Sequence, residues 1–173
     1  MNEYLPLTFG TGSSIVVNAC QVCGSHSLNS VLFLGYLPPV NKMWEIGTRP
    51  QEQSGYPAEL IYCENCTLVQ LGLIVDAEVL FSPSYPYTSG TTKILHDNFE
   101  RLRENCVDLL GINETDLVVD IGSNDGALLS FFQEKNLNVL GIDPARSIAA
   151  KATASGIETW PEFFNQTIAN LIK

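Results

Sequence analysis

The spacing of apolar positions changes near residue 90. Before that point, apolar residues fall in short β-type runs at 31–34, 60–63 and 68–75, set between polar, turn-rich stretches. Pro38-Pro39 imposes extended backbone between the first two runs, and 47–55 reads as a loop. The stretch Ser82-Pro-Ser-Tyr-Pro-Tyr-Thr-Ser-Gly90 reads as a tyrosine-bearing joint between two modules. After it, Ile94, Leu95, Phe99, Leu102, Cys106, Leu109 and Leu110 recur at helical spacing, with Gly111 placed to end the helix. An alternation of strand and helix follows. It predicts strands at 117–121, 138–142 and 158–160 and helices at 127–135, 146–155 and about 162–173. Such an alternation implies a parallel sheet, and three strands of it lie in this sequence. The expected organisation is an arm (1–18), a cysteine-bearing β-rich module (19–81), the joint and its helix (82–111), and the α/β part (112–173).

The cysteines turn the first module into a metal site. Four of the five occur as Cys20-Gln-Val-Cys23 and Cys63-Glu-Asn-Cys66. A CxxC turn aims backbone amides at its sulfurs, and two such turns complete a tetrahedral S4 shell, the geometry zinc takes in closed structural sites. Gly24 permits the first tight turn, and Tyr62 and Leu68 bracket the second with apolar bulk. Buried free thiols or a redox CxxC are the competing readings; one pair would leave them open, and two pairs count against them. The long Cys23–Cys66 separation requires an insertion that loops out. His26, close to the first pair, could replace a cysteine as ligand, but the four sulfurs already suffice; Cys106, on the apolar helix stripe, reads as core.

The second site lies in Leu117-Val-Val-Asp-Ile-Gly-Ser-Asn-Asp-Gly126, an apolar strand running into a turn and a helix. Gly122 allows a sharp turn and close approach of a ligand, and Gly126 allows the helix start to pack on the strand. Asp143 ends the next strand, where a carboxylate can accept two hydrogen bonds from a ribose diol. A dinucleotide fold would show GxGxxG with a pyrophosphate at the helix start. Here the pattern is DxGxxxG with Asp125 beside the turn, which disfavours an anion and suits a cationic nucleoside such as S-adenosylmethionine. Asp120 would then sit near that ligand's ammonium group. A strand–helix turn that merely needs glycine is the plainer reading.

Composition removes other classes. With 45% hydrophobic and 16% charged residues the chain is globular. A net charge of −10 with nine Lys and Arg argues against nucleic acid and against anionic membrane surfaces. No secretion signal opens the sequence and no apolar stretch reaches bilayer length, so the expected location is cytoplasmic. The glycosylation-like triplets at Asn113 and Asn165 then read as chance.

From about Cys20 onward the sequence resembles S-adenosylmethionine-dependent methyltransferases with an N-terminal zinc-binding domain, a family that includes C-methyltransferases of nucleotide-linked deoxysugars. The resemblance rests on CxxC-Gly at Cys20, Leu34-Gly35 followed by Pro39 and Asn41, and Tyr62-Cys-Glu-Asn-Cys-Thr-Leu-Val-Gln70. It continues through Val79-Leu-Phe-Ser82, Tyr85-Pro-Tyr-Thr-Ser89, the Ile121-Gly-Ser-Asn-Asp-Gly126 string and Gly141-Ile-Asp-Pro144. It implies an α/β protein: a zinc module followed by the first half of a Rossmann-like doubly wound sheet of the class I methyltransferase type, truncated. It implies structural zinc at Cys20, Cys23, Cys63 and Cys66. It also implies a cofactor cleft formed by Asp120, Gly122, Ser123, Asn124, Gly126, Asp143 and Pro144, bordered by Tyr85, Tyr87 and Ser89. An aromatic pair that only packs the joint is the plainer reading of the two tyrosines.

Two departures qualify the match. The family usually has Glu at the first acidic position of the glycine motif, and often at the end of the second strand, where this chain has Asp120 and Asp143. Members are also more than twice as long, so the catalytic base and most sugar contacts are expected beyond Lys173. His96 reads as a solvated-face residue and not as that base. The chemistry implied is C-methylation of a nucleotide-linked keto sugar, with these residues forming an inactive N-terminal part. In such a part the strand at 117–121 would lack one neighbour and present an apolar edge that invites self-association. A zinc-ribbon adaptor with a degenerate nucleotide domain, or an NAD-binding domain, are the rival readings.

Overall fold

The computed structural model describes residues 13–41, 43, 45–49, 52–82 and 85–173. They form two compact units that meet in sequence between Leu80 and Phe81. Residues 1–12 of the expected arm, positions 42 and 44, positions 50–51 of the expected loop and positions 83–84 of the expected joint lie outside the described residues. The architecture is α/β, with a small β module carrying the cysteines and a three-stranded parallel sheet that resembles half of a Rossmann-like fold.

In the first unit, β1 (Ile15–Val16), β2 (Leu28–Leu37), β3 (Tyr56–Cys63), β4 (Val69–Leu71) and β5 (Leu73–Ile74) precede the short helix α1 (Ala77–Leu80). One antiparallel sheet has the order β2-β3-β4. The β2–β3 ladder runs from Leu28↔Cys63 to Leu37↔Tyr56, with register shifts after Ser30 and after Phe33. Central β3 supplies the buried Tyr56, Ile61 and Cys63, whereas edge strand β2 leaves its apolar side chains largely exposed.

Two expectations change here. The single run expected at 68–75 is two strands, because Gly72 switches partners. Its N–H donates to the Glu59 carbonyl, while its own carbonyl accepts from Val17 N. Residues 15–16, assigned to a loose arm, instead form β1 and pair with β5. Beside them, buried Ser14 accepts a hydrogen bond from Asp76 N through its Oγ. Neither contact leaves a trace in local periodicity, because each joins segments about sixty positions apart.

In the second unit a 3₁₀ turn (Ser89–Thr91) leads into α2 (Lys93–Leu110). Gly111 closes α2 in the left-handed conformation, φ 65°, with its N–H donating to the Val107 carbonyl, as its position predicts. Then β6 (Leu117–Ile121), α3 (Ala127–Gln133), β7 (Asn138–Ile142), α4 (Arg146–Ala154), β8 (Thr159–Trp160) and α5 (Gln166–Ile172) alternate. The parallel order is β6-β7-β8.

Side-chain alternation divides this sheet between two cores. Paired Val118 and Val139 pack with Leu129, Ala152 and Ile157 beneath α3 and α4. The next pair, Val119 and Leu140, packs with Ile142, Trp160, Ile168 and Ile172 beneath α5. Helices thus cover both faces, as a doubly wound sheet requires.

Helix α5 starts later than its expected position near 162, because the Asn165 side chain caps it by accepting from Ile168 N. Helix α2 buries none of its residues fully. Cys106, expected in a core, is half-buried, and Ile94 and Leu109 are 81% and 83% exposed. Among the described residues β6 pairs on one side only, and Leu117 and Ile121 are exposed there.

Candidate functional site

Two folded-over turns build the metal centre. In the first, Gly24 N donates to the Cys20 carbonyl, and in the second Thr67 N donates to the Cys63 carbonyl. Gly24 (φ 72°) and Thr67 (φ 62°) therefore occupy equivalent left-handed positions, four residues after the first cysteine of each turn. The Leu28↔Cys63 pairing at the end of the β2–β3 ladder brings the turns together. Cys20 Sγ lies 3.5 Å from Cys66 Sγ, and Cys23 Sγ lies 3.6 Å from Cys63 Sγ. All four sulfurs fall within 4.8 Å of one another.

A tetrahedral zinc with Zn–S of about 2.3 Å requires sulfur separations of about 3.8 Å, so the cluster is already close to the size of the ion. The electrostatics agree. The amides of Cys23 and Val22 lower the Cys20 pKa. Asn65 and the Ser25 amide draw Cys23 down to about 6. At Cys66 the Leu68 amide favours the thiolate, but Cys20 and the other crowded thiols outweigh it and push the group up to about 12. A proton held among crowded sulfurs is what a divalent cation displaces. All five cysteines are free of disulfides. His26, the substitute ligand, instead places Nδ1 2.7 Å from the Asn18 carbonyl. Gln70, at the end of the second cysteine motif, contributes more than its motif position implies. It is buried, and its Oε1 accepts from Gln21 N inside the first turn.

In the second unit, β6 ends in the glycine turn and β7 ends at Asp143. Gly122 and Ser123 both donate backbone N–H bonds to the Ile142 carbonyl, at 2.7 and 3.2 Å. Gly122 has φ 84°, and a Cβ added there would meet nothing within 4 Å, so the space above the turn is open. Gly126 (φ 78°) differs, because an added Cβ would strike the Ile157 side chain at 3.0 Å. Gly141, which carried no expectation beyond its motif, lies so close under Ser123 that its Cβ would meet Thr159 Oγ1 at 2.7 Å and the Ser123 hydroxyl closer still.

Three carboxylates ring the turn. Burial, and then the charge of Asp143, raise the pKa of Asp120. Asp143 is buried, with Oδ2 accepting from Asn124 N at 2.9 Å and Oδ1 from Ala145 N at 2.8 Å. Each oxygen keeps a further lone-pair direction. The Ser123 Oγ is buried without a partner. Pro144 follows Asp143, half-buried.

The tyrosine segment lies in this same unit. Ser89 N donates to Asn124 Oδ1, the Tyr87 carbonyl accepts from Asn124 Nδ2, and Gly90 N donates to Asp125 Oδ2. Tyr87 is exposed and Tyr85 half-buried, its ring 5.8 Å from that of Phe81. His96 is exposed as expected, yet its Nε2 lies 3.0 Å from the Gly90 carbonyl and its ring packs edge-on to Phe131. Among the described residues no helix is long and apolar enough to cross a membrane.

With this geometry, the chain carries two distinct sites: a four-thiolate cage of zinc type and an acidic glycine turn at the carboxyl ends of parallel strands. Known proteins are similar to the chain across both units. Residues 20–81 match the family described as "Putative zinc binding domain". The chain is also 30% identical over 156 residues to the C-methyltransferase NovU of Streptomyces niveus, a match covering 90% of this chain and 37% of that protein. The chain thus spans well under half the length of the curated relative it matches. Residues 20–81 are similar to a zinc-binding domain, and most of the chain is similar to part of a C-methyltransferase.

Proposed function

We propose that the chain forms the cofactor-binding half and the zinc scaffold of an S-adenosylmethionine-dependent C-methyltransferase that acts on a nucleotide-linked keto-deoxysugar. The observation that carries this reading is the open space over Gly122, set among Asp120, Asp125 and Asp143. Three carboxylates repel a pyrophosphate and favour a nucleoside whose other end is a sulfonium and an ammonium. Asp143 would offer its remaining lone pairs to a ribose diol, since its two backbone bonds fix the carboxylate in place. Asp120 would face the ammonium, which would offset the burial that raises its pKa. The Ser123 hydroxyl is an unused donor beneath the same turn, and Pro144 follows the ribose acid. Tyr85, Tyr87 and Ser89 would border the cleft from the segment tied to Asn124.

The cofactor, when bound, supplies an electrophilic methyl group to a carbanion formed beside the sugar ketone. The contribution of these residues is to hold the donor in one orientation, which lowers the entropic part of the barrier. Zinc has a structural role, because a shell of four cysteines leaves no open position for substrate. No residue described here is assigned as the base.

Calorimetric titration with S-adenosylmethionine, S-adenosylhomocysteine and NAD tests the reading. Binding of the two S-adenosyl ligands but not NAD is expected. Preferential binding of NAD, or binding of none of the three, would overturn it.

A further inference from the structure

Asn124 has a left-handed backbone, φ 51°, a conformation that asparagine tolerates better than most residues. Its backbone N–H is committed to Asp143, and both ends of its carboxamide are committed to the tyrosine segment through Ser89 N and the Tyr87 carbonyl. Asp125 has the same division of labour. Its Oδ1 accepts from Ala127 N at the start of α3, and its Oδ2 accepts from Gly90 N. The fit at Gly90 is close, since an added Cβ would stand 3.0 Å from Asp125 Oδ2 and 3.4 Å from Ala127 Cβ. His96 holds the carbonyl of that same glycine. Four backbone groups of a short loop are thus taken up by side chains from the glycine turn and α2. A loop packed only by its own tyrosines would not need them.

We propose that Asn124 and Asp125 are positioning residues that latch the tyrosine segment onto the glycine turn, so that seating of the segment and binding of a nucleoside reinforce each other. The coupling half rests on the nucleoside reading given above; the docking half does not. Asn124 links the two through one residue, with its backbone on the proposed ribose carboxylate and its side chain on the segment. Coupling of this kind is reciprocal, so a ligand that steadies the segment must lose affinity by the same factor when the latch is removed.

Hydrogen exchange at the Ser89 and Gly90 amides reads the latch directly. Asn124→Gly keeps the left-handed backbone and deletes only the side chain. It should speed Ser89 exchange by about tenfold, the loss of roughly one net hydrogen bond. Asp125→Ala should do the same at Gly90, and Asp125→Asn, which keeps an acceptor oxygen, should restore protection there. The Gly122 and Gly141 amides, bonded to the Ile142 and Glu158 carbonyls, should remain protected in all three variants. In the wild-type chain S-adenosylhomocysteine should slow exchange at Ser89 and Gly90, and Asn124→Gly should bind it about tenfold more weakly. Unchanged exchange at Ser89 and Gly90 in Asn124→Gly and Asp125→Ala would overturn the latch. A released segment with unchanged affinity would overturn the coupling. If the wild-type chain does not bind the ligand, the nucleoside reading and the coupling fall together, and ligand-free exchange alone decides the docking half.

Discussion

Gly122 and Gly126 both hold left-handed backbones, φ 84° and 78°, yet alanine at the two positions should behave differently. An L-residue in that region costs roughly 1–2 kcal/mol. At Gly122 this is the whole structural effect, because a Cβ there meets open space. At Gly126 the new methyl strikes Ile157 Cβ and Cγ2 at 3.0 Å and Cγ1 at 3.2 Å. Ile157 belongs to the buried cluster with Leu129 and Ala152, so it has little room to withdraw. Overpacking a core of this kind adds about 1–3 kcal/mol, for a total of roughly 2–5 kcal/mol at Gly126. Urea denaturation measures the difference, provided the signal belongs to one unit. In a Trp44→Phe background, fluorescence reports Trp160, which packs against the Leu140, Ile142 and Ile168 cluster. Gly126→Ala should lower the midpoint clearly more than Gly122→Ala does. Binding of S-adenosylhomocysteine should show the reverse bias: lost in Gly122→Ala beyond its stability cost, and retained in Gly126→Ala below its transition. Equal stability losses would refute the claim that Ile157 closes over Gly126. Undiminished binding in Gly122→Ala would remove the ligand from that space.

Purified protein should carry one zinc per chain, and a strong chelator should raise hydrogen exchange across β2–β4 while β6–β8 stay protected; metal-free protein with an intact first unit would contradict this. Thr67→Gly should be neutral or stabilising by up to about 1 kcal/mol, because relief of a left-handed β-branched residue exceeds the added chain entropy, whereas Gly24→Ala should cost roughly 1–2 kcal/mol; thermal melts of the zinc-loaded protein compare them. Asp120→Asn should raise the melting temperature at pH 7 by removing a half-buried charge. The raised pKa of Asp120 gives wild type a stabilising contribution that is fully present below the unfolded value of 3.8 and lost as pH rises through the folded value. The gap between variant and wild type should therefore close on acidification, and a gap that is constant with pH would refute burial as the cause.

The parts legible in the sequence were those with a fixed local period. The CxxC spacing, the α2 stripe with Gly111 at its end, and the alternation after residue 112 all express contacts within a few residues of one another. What was missed depends on distant partners. The β1–β5 pairing, the partner switch at Gly72 and the clamping of the Ser89 and Gly90 amides each join positions tens of residues apart. Thr67 was missed for another reason. Glycine signals a left-handed position, and a threonine held there by its turn gives no such sign, although its place four residues after Cys63 mirrors that of Gly24. Asn165 is a residue type that favours a helix start, yet apolar spacing alone extends the expected helix back to about 162.

The antiparallel ladder between β2 and β3 bears on how this module can vary. Its Leu28↔Cys63 end fixes the two cysteine turns, and its Leu37↔Tyr56 end receives the connecting segment 38–55. The metal cage and the two chain ends that the connection joins therefore lie at opposite ends of the β2–β3 ladder. Lengthening a connection adds closure entropy that grows only with the logarithm of its length. That cost falls on hairpin formation and leaves the spacing of the sulfurs alone. Residues can thus be inserted or removed between 38 and 55, even as an epitope or a small reporter, with the zinc cage unchanged. The same insertion between Cys63 and Val69 would break it.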